Sequence, residues 1–243
     1  MQQAQSILFA KNIAKNYGKR SILKDVSFHF KTGEVVAILG PNGAGKTTSF
    51  YILTGIVQPN YGEIFLDQNN ITKLPMYMRA RLGLGYLPQE SSVFAGLSTR
   101  QNILAALELL PISKKAREDR LDELLTMFSL HRVVNSLGIM LSGGERRRLE
   151  IARALATNPK FILLDEPFAG VDPVSVDDIK SVIKDLAKQG IGVIITDHNV
   201  RETLKIADRS YIFFNGEVIC KGQMEAVLSN KVVKEKYLGT SFD

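Results

Sequence analysis

Nine residues, Gly40-Pro41-Asn42-Gly43-Ala44-Gly45-Lys46-Thr47-Thr48, constrain this chain more than any other stretch. They match the spacing G-x-x-x-x-G-K-[ST], with Gly40, Gly45, Lys46 and Thr47 at the fixed positions. Val35-Val36-Ala37-Ile38-Leu39 is a short apolar run between glycines, which predicts a buried strand before the loop. The absence of breakers from Lys46 up to Gly55 predicts a helix after it. Strand, glycine loop and helix N-terminus together build an anion site. Small residues let backbone N–H groups curl around phosphate oxygens, and the helix dipole adds positive potential. Lys46 is then expected to reach the β- and γ-phosphates of a nucleotide, and Thr47 to offer its hydroxyl to Mg²⁺.

A second glycine-fronted helix start lies at Leu141-Ser142-Gly143-Gly144-Glu145. Ser142 and Glu145 have the spacing of a capping box, and Ala152, Leu155 and Ala156 supply an apolar stripe. Two readings fit: a well-capped helix, and a second anion site. Phe161-Ile162-Leu163-Leu164 then predicts a buried strand ending in Asp165-Glu166. Two carboxylates at the carboxyl end of a central strand are costly unless they do chemistry. Asp165 is the candidate holder of Mg²⁺, and Glu166 the candidate base that polarises water for in-line attack on a γ-phosphate. Asp172 follows in the loop Ala169-Gly170-Val171-Asp172.

Several single residues read two ways. Tyr17, in the turn Asn16-Tyr17-Gly18-Lys19, fits local packing and an adenine-stacking platform equally well. Gln89 follows the apolar run Leu84-Gly85-Tyr86-Leu87-Pro88; it fits a surface loop or a place beside Mg²⁺ and attacking water. His198 stands just past the buried run 191–196, as a capping residue or as a γ-phosphate sensor. Val93-Phe94 fits ordinary core or a docking surface. From about residue 97 to 141 the pattern turns helical, broken at Pro111. Within it Leu121, Leu124, Leu125 and Phe128 fall at i, i+3, i+4 and i+7 over 116–130. That stretch predicts a small helical subdomain inserted into an α/β body. A helix is predicted over 177–189, a type I′ hairpin at Asn215-Gly216, and a final helix running to about Leu238.

At 243 residues the chain has room for one large domain, expected here to span 1–243. No apolar run approaches the ~20 residues that cross a bilayer. The first five residues carry no charged start followed by an apolar stretch, so no signal peptide is expected. The one cysteine, Cys220, excludes an intrachain disulfide and fits a cytosolic setting. A net charge of +6 is compatible with nucleotides, nucleic acid or an anionic membrane surface. The run Arg146-Arg147-Arg148 resembles a nucleic-acid patch only when read without the motif before it, and no nucleic-acid partner is expected.

Two glycine-fronted helix starts with one lysine between them suggest a composite site. In a two-fold dimer the 40–48 loop of one copy holds ATP, and Ser142-Gly143-Gly144 of the second closes on its γ-phosphate. At this point the chain resembles a known family. The 40–48 loop, Gln89, Leu-Ser-Gly-Gly-Glu, Phe-Ile-Leu-Leu-Asp-Glu and His198, in this order and spacing, are similar to the nucleotide-binding subunits of ABC transporters. The resemblance implies the ABC ATPase fold, α/β, with a P-loop NTPase core, an N-terminal antiparallel β subdomain and the inserted helical subdomain. It implies ATP and Mg²⁺, with the metal held by Thr47, Gln89 and Asp165. Tyr17 becomes the adenine-stacking residue, Gln89 the lid between nucleotide and membrane partner, Glu166 the catalytic base, and His198 part of the catalytic set. Ser142, Gly143, Gly144 and Glu145 become the signature that binds ATP across the dimer, Asp172 a dimer-contact residue, and Val93 and Phe94 the docking residues. Where many members have Ser-Ala-Leu-Asp, this chain has Ala-Gly-Val-Asp.

A closer resemblance rests on Tyr-Leu-Pro-Gln-Glu (86–90), Leu-Ser-Gly-Gly-Glu-Arg-Arg-Arg (141–148), Asp-Glu-Pro-Phe-Ala-Gly-Val-Asp-Pro (165–173), Thr-Asp-His-Asn-Val-Arg-Glu-Thr-Leu (196–204) and Lys-Tyr-Leu-Gly (236–239). These are similar to the ATPases of lipopolysaccharide export in Gram-negative bacteria. That implies two copies beneath two transmembrane permease subunits and a bridge component, attached to the cytoplasmic face of the inner membrane. The rivals are a branched-chain amino-acid importer ATPase and a non-transport ABC ATPase. A GTPase would need Asn-Lys-x-Asp, which the sequence lacks.

Overall fold

The computed structural model describes residues 5–239, so the expectation drawn from the first five residues falls almost wholly outside it. The chain opens with the antiparallel pair β1 (Ile7–Tyr17) and β2 (Arg20–Lys31). Next come β3 (Val35–Leu39), α1 (Lys46–Thr54), β4 (Tyr61–Leu66), β5 (Asn69–Asn70), α2 (Met76–Arg81) and β6 (Leu84–Leu87). Two helices follow, α3 (Thr99–Leu107) and α4 (Lys114–Met127), then α5 (Gly143–Leu155). The body continues with β7 (Phe161–Asp165), α6 (Pro173–Lys188), β8 (Gly192–Thr196), α7 (Val200–Leu204), β9 (Arg209–Phe214) and β10 (Glu217–Gly222). The short helices α8 (Met224–Ser229) and α9 (Lys231–Val233) come last.

Two sheets result. One is antiparallel, in the order β2-β1-β4-β5; the other runs β10-β9-β3-β8-β7-β6, parallel except for β10 at its edge. This is the α/β architecture with an N-terminal antiparallel sheet that the sequence predicts. Every residue of β3, β7 and β8 is buried. Both faces of a parallel sheet are covered, so such strands read as unbroken apolar runs. The alternation in β2 has the opposite cause: Val26, Phe28 and Phe30 point inward while their neighbours face water. Phe28 packs against Phe30, Tyr211 and Phe213 at 5.3–6.3 Å between centroids, which joins the two sheets through aromatic contact. Helix α1 contributes Phe50, Ile52 and Leu53 to that same core. The other face of the parallel sheet is covered by α5 and α6, and the buried residues of α3 and α4 share this second core.

Boundaries shift where caps decide them. Helix α6 begins at Pro173, four residues before the predicted start, because Asp172 accepts a hydrogen bond from Ser175 N–H (3.0 Å) and proline suits the first helical position. The predicted final helix is not continuous. Asn230 is extended (ψ 116°) and its side chain caps a new start at Val233 N–H. At the hairpin, Asn215 (φ 48°) and Gly216 (φ 81°) both take the left-handed values a type I′ turn requires.

Arg79 is the largest fully buried side chain among the described residues. It has no acidic partner among the described ion pairs. Its guanidinium instead donates to four carbonyls: Leu74 (2.9 Å), Ile52 (2.6 Å), Leu53 (2.8 Å) and Thr72 (2.7 Å). Two of these belong to the last turn of α1, whose carbonyls have no partner within the helix. Burial holds the Arg79 pKa down to about 10. Arg79→Met removes these bonds, leaving the Ile52 carbonyl only Gly55 N–H (3.3 Å), and we expect it to lower unfolding stability by about 3 kcal/mol or more in urea denaturation. A loss under about 1 kcal/mol would show that α1 closes without Arg79.

Candidate functional site

The 40–48 loop takes its shape from close backbone approach. A Cβ on Gly40 (φ 151°) would lie 2.2 Å from the Phe213 carbonyl oxygen, and one on Gly45 (φ 107°) 2.5 Å from the Leu23 side chain. The loop is thus clamped between β9 of one sheet and β2 of the other. Lys46 is buried, and its Nζ donates to the Gly40 (2.7 Å) and Pro41 (3.1 Å) carbonyls. Burial lowers its pKa; Glu166, Asp165 and Asp197 act against that. Ala44 is buried, while Asn42, Gly43 and Thr47 face solvent and Pro41 and Thr48 are half-buried. Tyr17 is 49% exposed at the end of β1, paired with Arg20 across the hairpin. The Arg20 guanidinium lies beside Gly43, so the hairpin that carries Tyr17 borders the loop. Lys15 Nζ sits 5.2 Å over the Tyr17 ring.

The neighbouring strand ends carry the acids. Parallel pairing sets Asp165 of β7 opposite Thr196 of β8, and the Thr196 hydroxyl donates to Asp165 Oδ1. Asp165 is 2% exposed, and burial raises its pKa. Glu166 follows with φ 48°, a left-handed conformation rare outside glycine, asparagine and aspartate. Its carboxylate accepts from Gln89 Nε2 (2.9 Å) and lies 3.3 Å from His198 Nδ1. The chain therefore brings Gln89, Glu166 and His198 to one oxygen, although 77 residues separate the first two. His198 is held by its neighbour. Asp197 is fully buried and accepts from Asn199 (2.7 Å) and Phe168 (3.2 Å) N–H groups.

Ser142 and Glu145 close the capping box on α5 (2.9 and 3.3 Å). Gly143 and Gly144 abut the 170–175 segment: a Cβ on Gly144 would lie 2.4 Å from Ser175 Oγ, and one on Gly143 3.1 Å from the Gly170 carbonyl. The starts of α5 and α6 thus form one surface that includes Asp172. Val93 is half-buried against the helical core, whereas Phe94 is 49% exposed with the Arg153 guanidinium 4.4 Å over its ring.

Sequence reasoning missed the group that ties these parts together. Arg147 and Glu150 are buried and paired (2.9 Å) on α5. Arg147 donates to the carbonyls of Asp165 (2.9 Å), Glu166 (3.0 Å), Pro167 (3.2 Å) and Pro88 (3.2 Å). Glu150 accepts from Ser91 Oγ (2.6 Å) and Ser92 N–H (3.0 Å). So the basic run 146–148 includes a buried hub. The signal was there: residues 147, 151 and 155 share one helix face, and Ile151 and Leu155 are core. Asp197, likewise unremarked, directly follows the apolar strand β8, beside the strand that ends in Asp165.

A glycine loop at a helix start, a buried carboxylate on the adjoining strand and a glutamate positioned beside it define a nucleotide-binding site of the P-loop class. A model of the ABC transporter family matches residues 23–169. The chain belongs to that family. It is 54% identical over 236 residues to the lipopolysaccharide export system ATP-binding protein LptB of Acidithiobacillus ferridurans, covering 97% of this chain and 98% of that protein. Among solved structures it superposes on the ADP conformation of MJ1267, an ATP-binding cassette of an ABC transporter, with TM-score 0.85, 30% identity and coverage of 96% and 99%. It also superposes on the dimeric structure of MJ0796, a bacterial ABC transporter cassette, with TM-score 0.80, 29% identity and coverage of 89% and 98%.

Arg147→Met leaves the Glu150 carboxylate buried without its cation. We expect a loss of about 3–5 kcal/mol in chemical denaturation, with much of it restored in the double variant Arg147→Met/Glu150→Leu. A double variant no more stable than the single one would show that the lost carbonyl bonds, and not the lone acid, dominate.

Proposed function

We propose that this chain is the ATP-hydrolysing subunit of a lipopolysaccharide exporter, working as a pair of copies beneath membrane permeases. The convergence of Gln89 and His198 on the Glu166 carboxylate carries the hydrolytic part of this reading. The polyphosphate of ATP lies along the 40–48 loop, with Tyr17 against adenine. Its γ-phosphate takes Lys46 from the Gly40 and Pro41 carbonyls. Glu166 polarises a water for in-line attack, and His198 holds the same carboxylate oxygen in place.

The donor set fits Mg²⁺. Asp165 offers a buried carboxylate that accepts from Thr196 through one oxygen; Thr47 presents an exposed hydroxyl; the Gln89 amide donates to Glu166 through its nitrogen. When bound with ATP, the cation neutralises charge that develops on the phosphate oxygens. Thr47, Asp165 and Gln89 would hold it.

In the dimer reading, Ser142, Gly143, Gly144 and Glu145 of the second copy close on the γ-phosphate, with Asp172 at the contact. The α5–α6 surface described above supports this, since the signature and Asp172 already lie on one face. Residues 97–141 act as the helical subdomain. Phe94, exposed at the rim, meets the membrane subunits, and Val93 supports it from the core. Those partners are permeases of the LptF and LptG type with an LptC-like bridge, at the cytoplasmic face of the inner membrane. The relatives' near-full-length identity supports the choice of lipopolysaccharide over another cargo. Among the described residues, no helix is long and apolar enough to cross a membrane.

Glu166→Gln tests the chemistry. It should bind ATP as the wild type does, hydrolyse it about 10²–10³-fold more slowly, and elute as a dimer in ATP and Mg²⁺. Hydrolysis within a few-fold of wild type would remove Glu166 from the role of base. Gentle detergent pull-down of the tagged chain from its own membranes tests the cargo. Two different permeases with large periplasmic domains are expected, and Phe94→Ala should reduce their yield without changing ATP affinity. Recovery of small permeases with a solute-binding protein would point to an importer instead.

A further inference from the structure

Two helices that carry parts of the site lean on different cores. Helix α6 starts at Asp172 and packs Ile179, Ile183 and Leu186 into the second core, with α5. Helix α7 is capped by Asn199, the residue after His198. It packs Val200 and Leu204 into a third core, with Ala37 and Leu39 of β3 and Ile212 of β9. Apolar packing returns to the second core at Ile206, beyond α7. A cleft of about 410 Å³ is lined by Val176, Asp177 and Lys180 of α6 and by Asp197, His198 and Glu202 from the end of β8 and from α7. The His198 side chain is 64% exposed, so packing alone does not fix its ring.

Charge spans this cleft. Lys180 Nζ, about two turns into α6, donates to Glu202 Oε2 in the first turn of α7. Both side chains are mostly enclosed, at 16% and 23% exposure. Asp177 holds Lys180 from within α6 at 2.5 Å, and Lys205 holds Glu202 from the end of α7 at 2.8 Å. Of these three bonds, Lys180–Glu202 joins the two helices. An isolated exposed pair fixes little, whereas a network of charges with enclosed members can hold a geometry. Glu202 N–H donates to Asn199 Oδ1 (3.4 Å), and Asn199 N–H donates to Asp197 Oδ1 (2.7 Å). His198 stands between those two anchored residues, 3.3 Å from the Glu166 carboxylate. A fixed Glu202 thus fixes the turn that carries His198.

We propose that Lys180 and Glu202 are positioning residues for His198: their ion pair binds α7 to α6 and keeps the His198 ring at the Glu166 carboxylate. The same bond ties the ring to the helix that begins at Asp172. The consequence for turnover rests on the reading of Glu166 and His198 as parts of an ATP-hydrolysing site.

The test uses the full chain and three single variants, Lys180→Gln, Glu202→Gln and Lys205→Gln. His198 is one of three histidines, so its ring C–H signals can be followed by NMR and assigned by their loss in His198→Gln. In Lys180→Gln and in Glu202→Gln these signals should move towards their positions in the urea-unfolded chain. Lys205→Gln breaks a bond within α7 and should leave them in place. The turnover rate for ATP in Mg²⁺ should fall about three- to fivefold in the first two variants, the range one partly enclosed ion pair can carry, with ATP affinity unchanged. Lys205→Gln should match the wild type. Unmoved His198 signals would overturn the proposal. So would shifts of opposite sign in the two variants, which mark the removed charge and not a displaced ring. A lower melting temperature with movement of the His29 and His131 signals would also overturn it, since that marks general loosening. Moved His198 signals with an unchanged rate would support the positioning and overturn the part given to His198 in hydrolysis. A wild type without ATPase activity would overturn the proposed function, while the NMR comparison still decides the positioning.

Discussion

Close approach of three backbones organises this molecule. Gly45 lets β2 rest on the phosphate loop, Gly40 lets the end of β9 rest on it from elsewhere, and Gly216 lets the β9–β10 hairpin lie on β2, where a Cβ would come 2.5 Å from the Ile22 carbonyl. Gly216 N–H also donates to the Ala44 carbonyl (3.2 Å). The loop is therefore not a free flap held at its two ends. It is the shared wall of two sheets, and its amide groups are fixed before any anion arrives, so little ordering cost falls on binding. Side chains at these glycines would push the sheets apart, so here the fold and the anion site have the same requirement.

From that wall the acids are placed by register. Parallel pairing of β7 with β8 sets Asp165 against Thr196 and leaves Glu166 and His198 just beyond the ends of the two strands. Arg147 then fixes what register alone leaves loose, since the chain after Asp165 has left the sheet. One guanidinium bonded to the carbonyls of residues 88, 165, 166 and 167 makes the Gln89 segment, the Glu166 turn and helix α5 one body. A displacement of the Ser142–Glu145 end of α5 has a short, stiff route to Glu166, through a side chain with few other places to go.

The sequence made the loop, the buried strands and the two carboxylates legible, because each rests on local pattern: fixed spacing, apolar runs and polar residues at strand ends. It did not make the meeting of Gln89, Glu166 and His198 legible on residues alone. That contact depends on the strand order β8-β7-β6, and the readings of Gln89 and His198 stayed open until the whole motif set was weighed. Arg147, Arg79 and Asp197 were harder to see for a different reason. Buried charge runs against the usual partition of residue types, and only the helical or strand face they share with apolar neighbours betrays them. The break at Asn230 was hidden because an asparagine cap inside a helical pattern looks like one more polar position.

The left-handed backbone at Glu166 carries a consequence of its own. A side chain there is held at a cost of order 1–2 kcal/mol that glycine would not incur. The surrounding bonds maintain it: Glu166 N–H to the Thr196 carbonyl, and Arg147 to the Glu166 carbonyl. Selection for a sturdier protein and selection for this carboxylate therefore pull in opposite directions at one position. Among variants screened for thermal tolerance alone, glycine or asparagine at 166 should be enriched, and each such gain would trade away the acid.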